Sequence, residues 1–332
     1  MDASPPPLLH GARPTAPYTA RAPSPPALLI PPGNWSTPVK IVPRYDNVDP
    51  AFLSAEDLAV ITQDGIEQIA YDSAPHWAYE SRRVAQPILD FLYLGPSNVI
   101  RNRPWLREEG ITMVLAIRDA RQASMNLMAV DKLAHDLGIE AHSIDVSGSH
   151  ELTRAFPSTI RIINDHMLRI YRGQAVENSN LKPNAGHAQV EGRGAETGTM
   201  AIAEASFRRG KVLVFCETGN NRSAAIVCAY LMAVLGMPAV EACQFVTYKR
   251  LCACMDEDLK HTLVAYGDIL LAQRTVHHHE LEEALSPKRT KRGIGEIVDA
   301  DGDQLMADID PHRSSDQDRF VGRVPFTPFV DN

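Results

Sequence analysis

The 332 residues carry a formal net charge of -8 with a pI near 5.8, which argues against a nucleic-acid-binding protein because phosphate-backbone binding requires a basic face. No apolar run approaches the length of a membrane-spanning helix, so no membrane insertion is predicted. The five cysteines form no even extracellular framework, which favours a reducing location in the cytoplasm and/or the nucleus.

The two ends of the chain are predicted to lie outside the folded domain. Residues 1–45 are rich in proline, alanine and serine and cannot bury enough apolar surface to order themselves, which predicts a disordered arm. Residues 46–84 hold mixed apolar residues, with Ser54 placed to open a short helix, and are predicted to pack on the domain as an extension. Residues 274–332 are predicted to form a second disordered tail. Its basic cluster at 287–292 is either a nuclear-import signal or solvated charge.

Strand and helix patterns alternate through the middle of the chain. The predicted strands cover residues 88–95, 111–117, 140–146 and 211–215. The predicted helices include residues 105–110, 130–137, 156–171, 240–250 and 259–273. This alternation predicts an α/β fold with a mainly parallel central sheet flanked by helices. The ligand site of such a sheet lies beyond the carboxyl ends of its strands.

The most informative stretch is KVLVFCETGNNRSAAIVCAYLM at residues 211–232. It predicts a short buried strand, a tight polar loop and then a helix. The apolar face of that helix has the spacing i, i+3, i+4 and i+7 and consists of Ala224, Val227, Cys228 and Leu231.

The loop of this stretch begins with Cys216 and ends with Arg222. Successive backbone N–H groups that end at a helix N-terminus form a concave site for a dianion and lower the pKa of a cysteine there. The arginine can donate two hydrogen bonds to one phosphate. The predicted phosphate-binding residues are therefore Glu217, Thr218, Gly219, Asn220, Asn221 and Arg222. The alternative is a buried core cysteine beside a solvated arginine.

A cysteine, five residues and an arginine, framed by VLVF and SAAIVCAYLM, resemble the signature loop of the cysteine-dependent protein phosphatases, in particular the dual-specificity group. The phrases FLYLGPSNVIRN and GITMVLAIR extend this resemblance over about residues 85–273. It implies a protein-tyrosine-phosphatase-like fold and a reaction that needs neither metal nor cofactor. In that reaction Cys216 attacks phosphorus, Arg222 and the loop amides hold the phosphate oxygens, and Ser223 hydrogen-bonds the thiolate. The alternative for Ser223 is an ordinary residue of the first helical turn.

Several features depart from the family pattern. Phe215 replaces the histidine that supports the low cysteine pKa in most relatives, and an apolar neighbour is expected to raise that pKa unless something compensates. The position of the general acid falls on Gly148, which leaves Asp145 as the candidate acid, with a structural aspartate at a strand end as the alternative. An insertion is predicted at about residues 173–198, where the family has a short turn. The segment 252–256 lacks the usual asparagine-proline step, which leaves its geometry open.

The sequence therefore supports two functions. The first is a dual-specificity phosphatase that hydrolyses phosphotyrosine, with phosphoserine and phosphothreonine as further substrates. The second is a pseudophosphatase that binds a phosphoprotein or an unphosphorylated partner without turnover. This function is considered because the domain sequence is more similar to the Ser/Thr/Tyr-interacting pseudophosphatases than to the kinase-directed members of the family. Those relatives lack the cysteine, so Cys216 and Arg222 favour chemistry, whereas Phe215 and the missing acid favour binding.

The run of histidines at 277–279 lacks partner ligands at metal spacing, so no metal site is predicted.

Overall fold

A computed structural model describes residues 26–31, 37–50, 52–121, 130–181 and 207–285. Two sheets are present in this part of the chain. The strands are β1 (Val39–Ile41), β2 (Gln68–Ala70), β3 (Gln86–Pro87), β4 (Leu92–Pro96), β5 (Met113–Asp119), β6 (Glu140–Val146) and β7 (Val212–Cys216). Strands β1 and β2 form an antiparallel pair, and the other five form a sheet in the order β3-β4-β7-β5-β6. All neighbours in the larger sheet are parallel except β3 and β4, which confirms the predicted mainly parallel sheet.

Helices cover both faces of the five-stranded sheet. They are α1 (Ala55–Thr62), α2 (Arg103–Glu108), α3 (Val130–Leu137), α4 (Ser149–Leu181), α5 (Arg222–Leu235), α6 (Ala239–Lys249) and α7 (Glu257–Leu285). The larger apolar core joins one face of the sheet to α1 and α4 through α7, and the smaller core joins the other face to α2 and α3. None of the described helices is both long and apolar enough to cross a membrane.

Side chains of β7 alternate between the two cores, as the pleat of a strand requires. Val212, Val214 and Cys216 belong to the larger core, whereas Leu213 and Phe215 belong to the smaller one. The ring of Phe215 is fully buried. The residue that replaces the family's histidine therefore packs on the face of the sheet opposite to the cysteine.

Part of the predicted disordered arm is ordered by contacts with distant segments. Strand β1 lies within residues 1–45 and pairs with β2, and the side chain of Ile41 is buried in the larger core. The Leu28 amide donates to Glu257 over 2.8 Å, and Gln244 donates to the Pro31 carbonyl over 2.8 Å. Each of these contacts joins residues that lie far apart in the sequence. The remainder of the arm, residues 1–25 and 32–36, lies outside the described residues.

Two helices extend beyond their predicted ends. Helix α4 continues to Leu181, into the segment predicted as an insertion, and residues 182–206 lie outside the described residues. Helix α7 continues to Leu285, past the predicted domain end at residue 273. Between residue 274 and this end there is no glycine or proline, so nothing in the backbone chemistry stops the helix. The predicted tail beyond residue 285 also lies outside the described residues.

The position of Phe215 predicts a loss of stability without a change at Cys216. Truncation by Phe215→Ala should lower the free energy of unfolding by about 3–5 kcal/mol, because a buried ring is replaced by a cavity. Phe215→Leu should lose less, because it keeps most of the apolar volume. Urea unfolding measures both changes. Alkylation of Cys216 in Phe215→Leu should proceed as in the wild type, and a large change in its pH dependence would contradict the opposite-face packing.

Candidate functional site

The predicted nucleophile and arginine lie at the two ends of one loop. Strand β7 ends at Cys216 and α5 begins at Arg222, which confirms the strand, loop and helix predicted for this stretch. The cysteine is only 3% exposed, and Ser223 Oγ donates a hydrogen bond to Cys216 Sγ over 3.0 Å. The structure therefore brings Cys216, Arg222 and Ser223 together at the carboxyl edge of the parallel sheet.

Hydrogen bonds control the charge state of Cys216. Burial raises the pKa of this thiol, but the Ser223 hydroxyl and the backbone N–H groups of Ser223, Asn221 and Gly219 stabilise the thiolate. The balance lowers the pKa of Cys216 below that of an ordinary thiol. The loop thus supplies the compensation that the loss of the family's histidine requires.

The backbone of the loop is fixed by Arg250, which follows α6 and is fully buried. Its Nε donates to the Gly219 carbonyl over 3.0 Å, and its Nη2 donates to the Thr218 carbonyl over 3.2 Å and to Asn220 Oδ1 over 3.1 Å. The same guanidinium donates to the carbonyls of Val84 (2.9 Å) and Arg82 (3.0 Å) and to the side chain of Gln86. Arg250 therefore holds the carbonyls of Thr218 and Gly219, while the N–H groups of Gly219, Asn221 and Ser223 hydrogen-bond the sulfur.

Glycine is required at the middle of the loop. Gly219 has φ of +74°, and a Cβ there would lie 2.4 Å from the carbonyl carbon of Gly95. The loop thus packs directly on the backbone at the end of β4. A different contact explains the glycine of the LYLGP sequence in β4, since a Cβ on Gly95 would lie 2.7 Å from the Cβ of Ala85.

The arginine of the loop is held by an aspartate that the sequence reasoning missed. Arg222 Nη2 donates to Asp119 Oδ2 over 2.7 Å, and Arg121 donates to both oxygens of the same carboxylate. Hydrogen bonds from the side chain and backbone of Arg121, with a further contribution from Arg222, hold the pKa of Asp119 well below its usual range. Asp119 ends β5, the strand beside β7, so a carboxylate at the end of a central strand was the available signal.

A cavity of about 430 Å³ opens at Cys216 and Arg222. The loop contributes Glu217, Thr218 and Asn221 to its wall. The remaining lining residues come from the turn before α4, from α4 itself and from the start of α7, and they are Gly148, Ser149, His150, Leu152, Asp256, Asp258 and Leu259. The segment at 252–256, whose geometry the sequence left open, thus supplies part of the wall.

The structure places Asp145 in an ion pair rather than in this cavity. Arg118 donates to its carboxylate through Nε over 2.7 Å and through Nη2 over 2.9 Å, and these bonds raise the pKa of Arg118. Only Ser147 and Gly148 separate β6 from α4, so the chain has no long loop to carry an acid toward the sulfur. Glu151 is also engaged, because its carboxylate accepts the Ser147 amide. The role predicted for Asp145 gains no support from this placement.

No group of three or more histidine, cysteine, aspartate or glutamate side chains within the described residues is arranged to hold a metal ion. The histidine run at 277–279 lies on α7. All five cysteines are free thiols. Cys252 lies beside the loop, where its Sγ donates to Asn220 Oδ1 over 3.2 Å.

Comparisons with known proteins agree on one family. The family model described as "Dual specificity phosphatase, catalytic domain" matches residues 195–269. The chain is 27% identical over 225 residues to the serine/threonine/tyrosine-interacting proteins of Homo sapiens and Mus musculus, and the match covers 67% of this chain and 79% of each relative. The solved structure of the human tyrosine phosphatase-like serine/threonine/tyrosine-interacting protein is 25% identical. It covers 57% of this chain and 99% of its own, with a TM-score of 0.40.

The hydrogen bond from Ser223 predicts the behaviour of the thiol. Ser223→Ala should raise the pKa of Cys216, because one stabilising donor to the thiolate is lost while the burial remains. The rate of iodoacetamide alkylation, followed against pH by mass spectrometry of the peptide that contains Cys216, measures this change. Ser97→Ala, at a serine whose hydroxyl donates to the Glu217 carbonyl over 3.3 Å and not to the sulfur, is the matched control. An unshifted alkylation profile in Ser223→Ala would contradict the assigned hydrogen bond.

The contacts of Arg250 predict a loss of anion binding from outside the cavity. Arg250→Met should weaken tungstate binding roughly tenfold or more, since hydrogen bonds from a charged donor to the loop are worth about 1.5–3 kcal/mol. Arg103→Met is the control variant and should bind tungstate normally. It removes an exposed arginine that pairs with Asp136, and both residues are distant in sequence from the loop. Calorimetric titration of both folded variants is the measurement. Equal affinities would show that Arg250 does not position the loop.

Proposed function

Because this chain belongs to the dual-specificity phosphatase family, we propose that it hydrolyses phosphotyrosine in proteins through a cysteinyl-phosphate intermediate, with phosphoserine and phosphothreonine as further substrates. One observation carries the proposal. The Cys216 sulfur lies at a polar cavity lined by Arg222 and accepts hydrogen bonds from the Ser223 hydroxyl and from loop amides, which lower its pKa and favour the thiolate.

Binding of the phosphate would use the groups that the loop leaves unpaired. The pair with Asp119 occupies Nη2 of Arg222, and the Nε and Nη1 groups stay available to phosphate oxygens. The inward N–H groups and the positive end of the α5 helix dipole add to the attraction for a dianion. Arg222 thus contacts the substrate, whereas Asp119 and Arg250 position the groups that do.

The chemical step follows from the position of the sulfur. The Cys216 thiolate attacks phosphorus, a sulfur–phosphorus bond forms, and the bond from phosphorus to the tyrosine oxygen breaks. A water molecule then attacks the thiophosphate, and the sulfur departs as a thiolate that the Ser223 hydroxyl stabilises. Most of the rate enhancement comes from positioning and from stabilisation of the charge on the phosphoryl oxygens.

A second function, binding of a phosphoprotein without turnover, is supported by the state of Asp145. Its carboxylate is engaged by Arg118, and general acid catalysis is typically worth about 10²–10⁴-fold in rate. The relatives that this chain matches are named serine/threonine/tyrosine-interacting proteins, which also supports a binding function. In this case the loop would serve as a recognition site for a phosphorylated partner, and Cys216 would line that site without reacting.

We further propose that the protein acts in the cytoplasm and/or the nucleus, since a free thiolate nucleophile requires a reducing environment. Its partners on this proposal are phosphoproteins. Binding to nucleic acid and insertion into a membrane are not part of the proposal.

Turnover by variants of one cysteine tests the enzyme function. Purified wild type should release phosphate from para-nitrophenyl phosphate, and Cys216→Ser should lose this activity by several orders of magnitude, because the hydroxyl is a far weaker nucleophile than a thiolate. Cys254→Ser, at an exposed cysteine, is the matched control and should stay active. Equal rates for wild type and Cys216→Ser would contradict the proposal that this protein is an enzyme.

Peptide binding separates the two functions. Cys216→Ser should keep its affinity for a phosphotyrosine peptide, whereas Arg222→Ala should lose it, because the arginine and the amides hold the phosphate and the sulfur does not. Fluorescence anisotropy with a labelled peptide, and with its unphosphorylated form as control, gives both affinities. Phosphate-dependent binding by a wild type that lacks turnover would select the recognition function.

A further inference from the structure

The cavity at Cys216 lacks a carboxylate at the place where the family carries its general acid. That position falls on Gly148, in the two-residue turn between β6 and α4. Glycine has no side chain that can hold a proton. Departure of an unprotonated tyrosine oxygen is slow, so the reaction proposed above needs a donor from another residue.

The imidazole of His150 fills the space beside Gly148. A Cβ built on Gly148 would lie 3.1 Å from both Cε1 and Nδ1 of His150, so a side chain at position 148 and this imidazole would compete for the same space. His150 lies at the start of α4, and it lines the same cavity as Cys216 and Arg222. The ring therefore stands where the family's acid would begin.

Three carboxylates at or near the cavity have other partners, whereas the structure gives no side-chain partner among the described residues to Glu217 or Asp258, which also line the cavity. Asp119 is bound by Arg121 and Arg222, and Asp145 is bound by Arg118. Asp256 accepts the Leu259 amide over 2.9 Å and the Asn221 side-chain amide over 3.4 Å.

His150 itself is unengaged. Its imidazole makes no hydrogen bond or ion pair with any other residue that the structure describes, and its surface is exposed to the cavity and solvent. An imidazole can both give and take a proton through its ring nitrogens, which suits a general acid and base.

We propose that the imidazolium of His150 is the proton donor for the leaving oxygen, an inference that rests on the proposed phosphatase function. As the thiolate attacks phosphorus and the phosphorus–oxygen bond breaks, the imidazolium N–H transfers its proton to the leaving oxygen, and tyrosine departs as a neutral phenol. The neutral imidazole then takes a proton from the water that attacks the thiophosphate. The sulfur–phosphorus bond breaks, phosphate leaves, and both the thiolate and the imidazolium are restored.

Two substrates with different leaving groups test this role. Phenyl phosphate needs protonation of its leaving oxygen, whereas para-nitrophenyl phosphate has an activated leaving group that departs with little help. His150→Gln should lower kcat on phenyl phosphate by about 10²–10⁴-fold and on para-nitrophenyl phosphate by a far smaller factor. The para-nitrophenyl rate also verifies that the variant is folded and that its thiolate is intact.

Asp258→Asn and Asp145→Asn are the matched controls. Asp258 is another titratable residue of the cavity wall, and Asp145 is the acid that the sequence suggested. Both should slow the two substrates by similar, small factors. The proposal is overturned if His150→Gln slows both substrates equally, or if Asp145→Asn or Asp258→Asn produces the selective loss on phenyl phosphate instead.

A rescue experiment tests the shared position. His150→Ala removes the imidazole that crowds residue 148, and Gly148→Asp then has room to carry a carboxyl group. The double variant should regain at least about tenfold in kcat on phenyl phosphate over His150→Ala alone, because a general acid is restored. A double variant that is no faster would contradict the shared position and, with it, the proposal.

Failure of this inference differs from failure of the proposed function. If wild type hydrolyses para-nitrophenyl phosphate no faster than Cys216→Ser, the phosphatase function fails and the role of His150 falls with it. If turnover depends on Cys216 but shows no selective dependence on His150, the phosphatase function stands and only this inference is lost.

Discussion

The buried guanidinium of Arg250 determines how the phosphate loop is oriented. By accepting its hydrogen bonds, the carbonyls of Thr218 and Gly219 turn away from the cavity, and the adjoining N–H groups are left to face the sulfur. A loop of glycine and asparagine has many other conformations, and only a donor with several fixed N–H groups can hold several acceptors at once. The backbone N–H groups of Gly219, Asn221 and Ser223, which help to lower the pKa of Cys216, belong to this loop and to the start of α5.

Two opposing effects meet at the nucleophile. Burial of the sulfur in the larger core disfavours its charge, and the hydrogen bonds from Ser223 and the loop amides favour it. The loop outweighs the burial without a polar residue at position 215. Phe215 instead packs in the smaller core, so this position serves the stability of the sheet and not the charge of the sulfur. The protein-tyrosine-phosphatase-like fold of the dual-specificity type thus keeps the hydrogen-bonded loop around Cys216 with an apolar residue at position 215.

The two proposed functions would use the same groups to hold a phosphate, and the phosphatase function would also require a proton donor. Asp119 and Arg250 would be positioning residues in both, because they hydrogen-bond Arg222 and the loop whether or not the sulfur reacts. The turn between β6 and α4 is where the two functions separate. It is too short to carry a mobile acid, and it places an imidazole beside the cavity instead.

The sequence by itself determined the α/β fold, the strand, loop and helix around Cys216, and the roles of Arg222 and Ser223 as neighbours of the sulfur. These features depend on local spacing, since hydrophobic periodicity and a loop of fixed length act within a few residues. Only the tertiary structure decided that Asp119 and Arg250 contact this loop, that His150 lines the same cavity, that Asp145 pairs with Arg118 on the adjacent strand, and that β1 is ordered. Those contacts join residues brought together by sheet order and helix packing, and no pattern along the chain encodes the distance between two side chains on different elements.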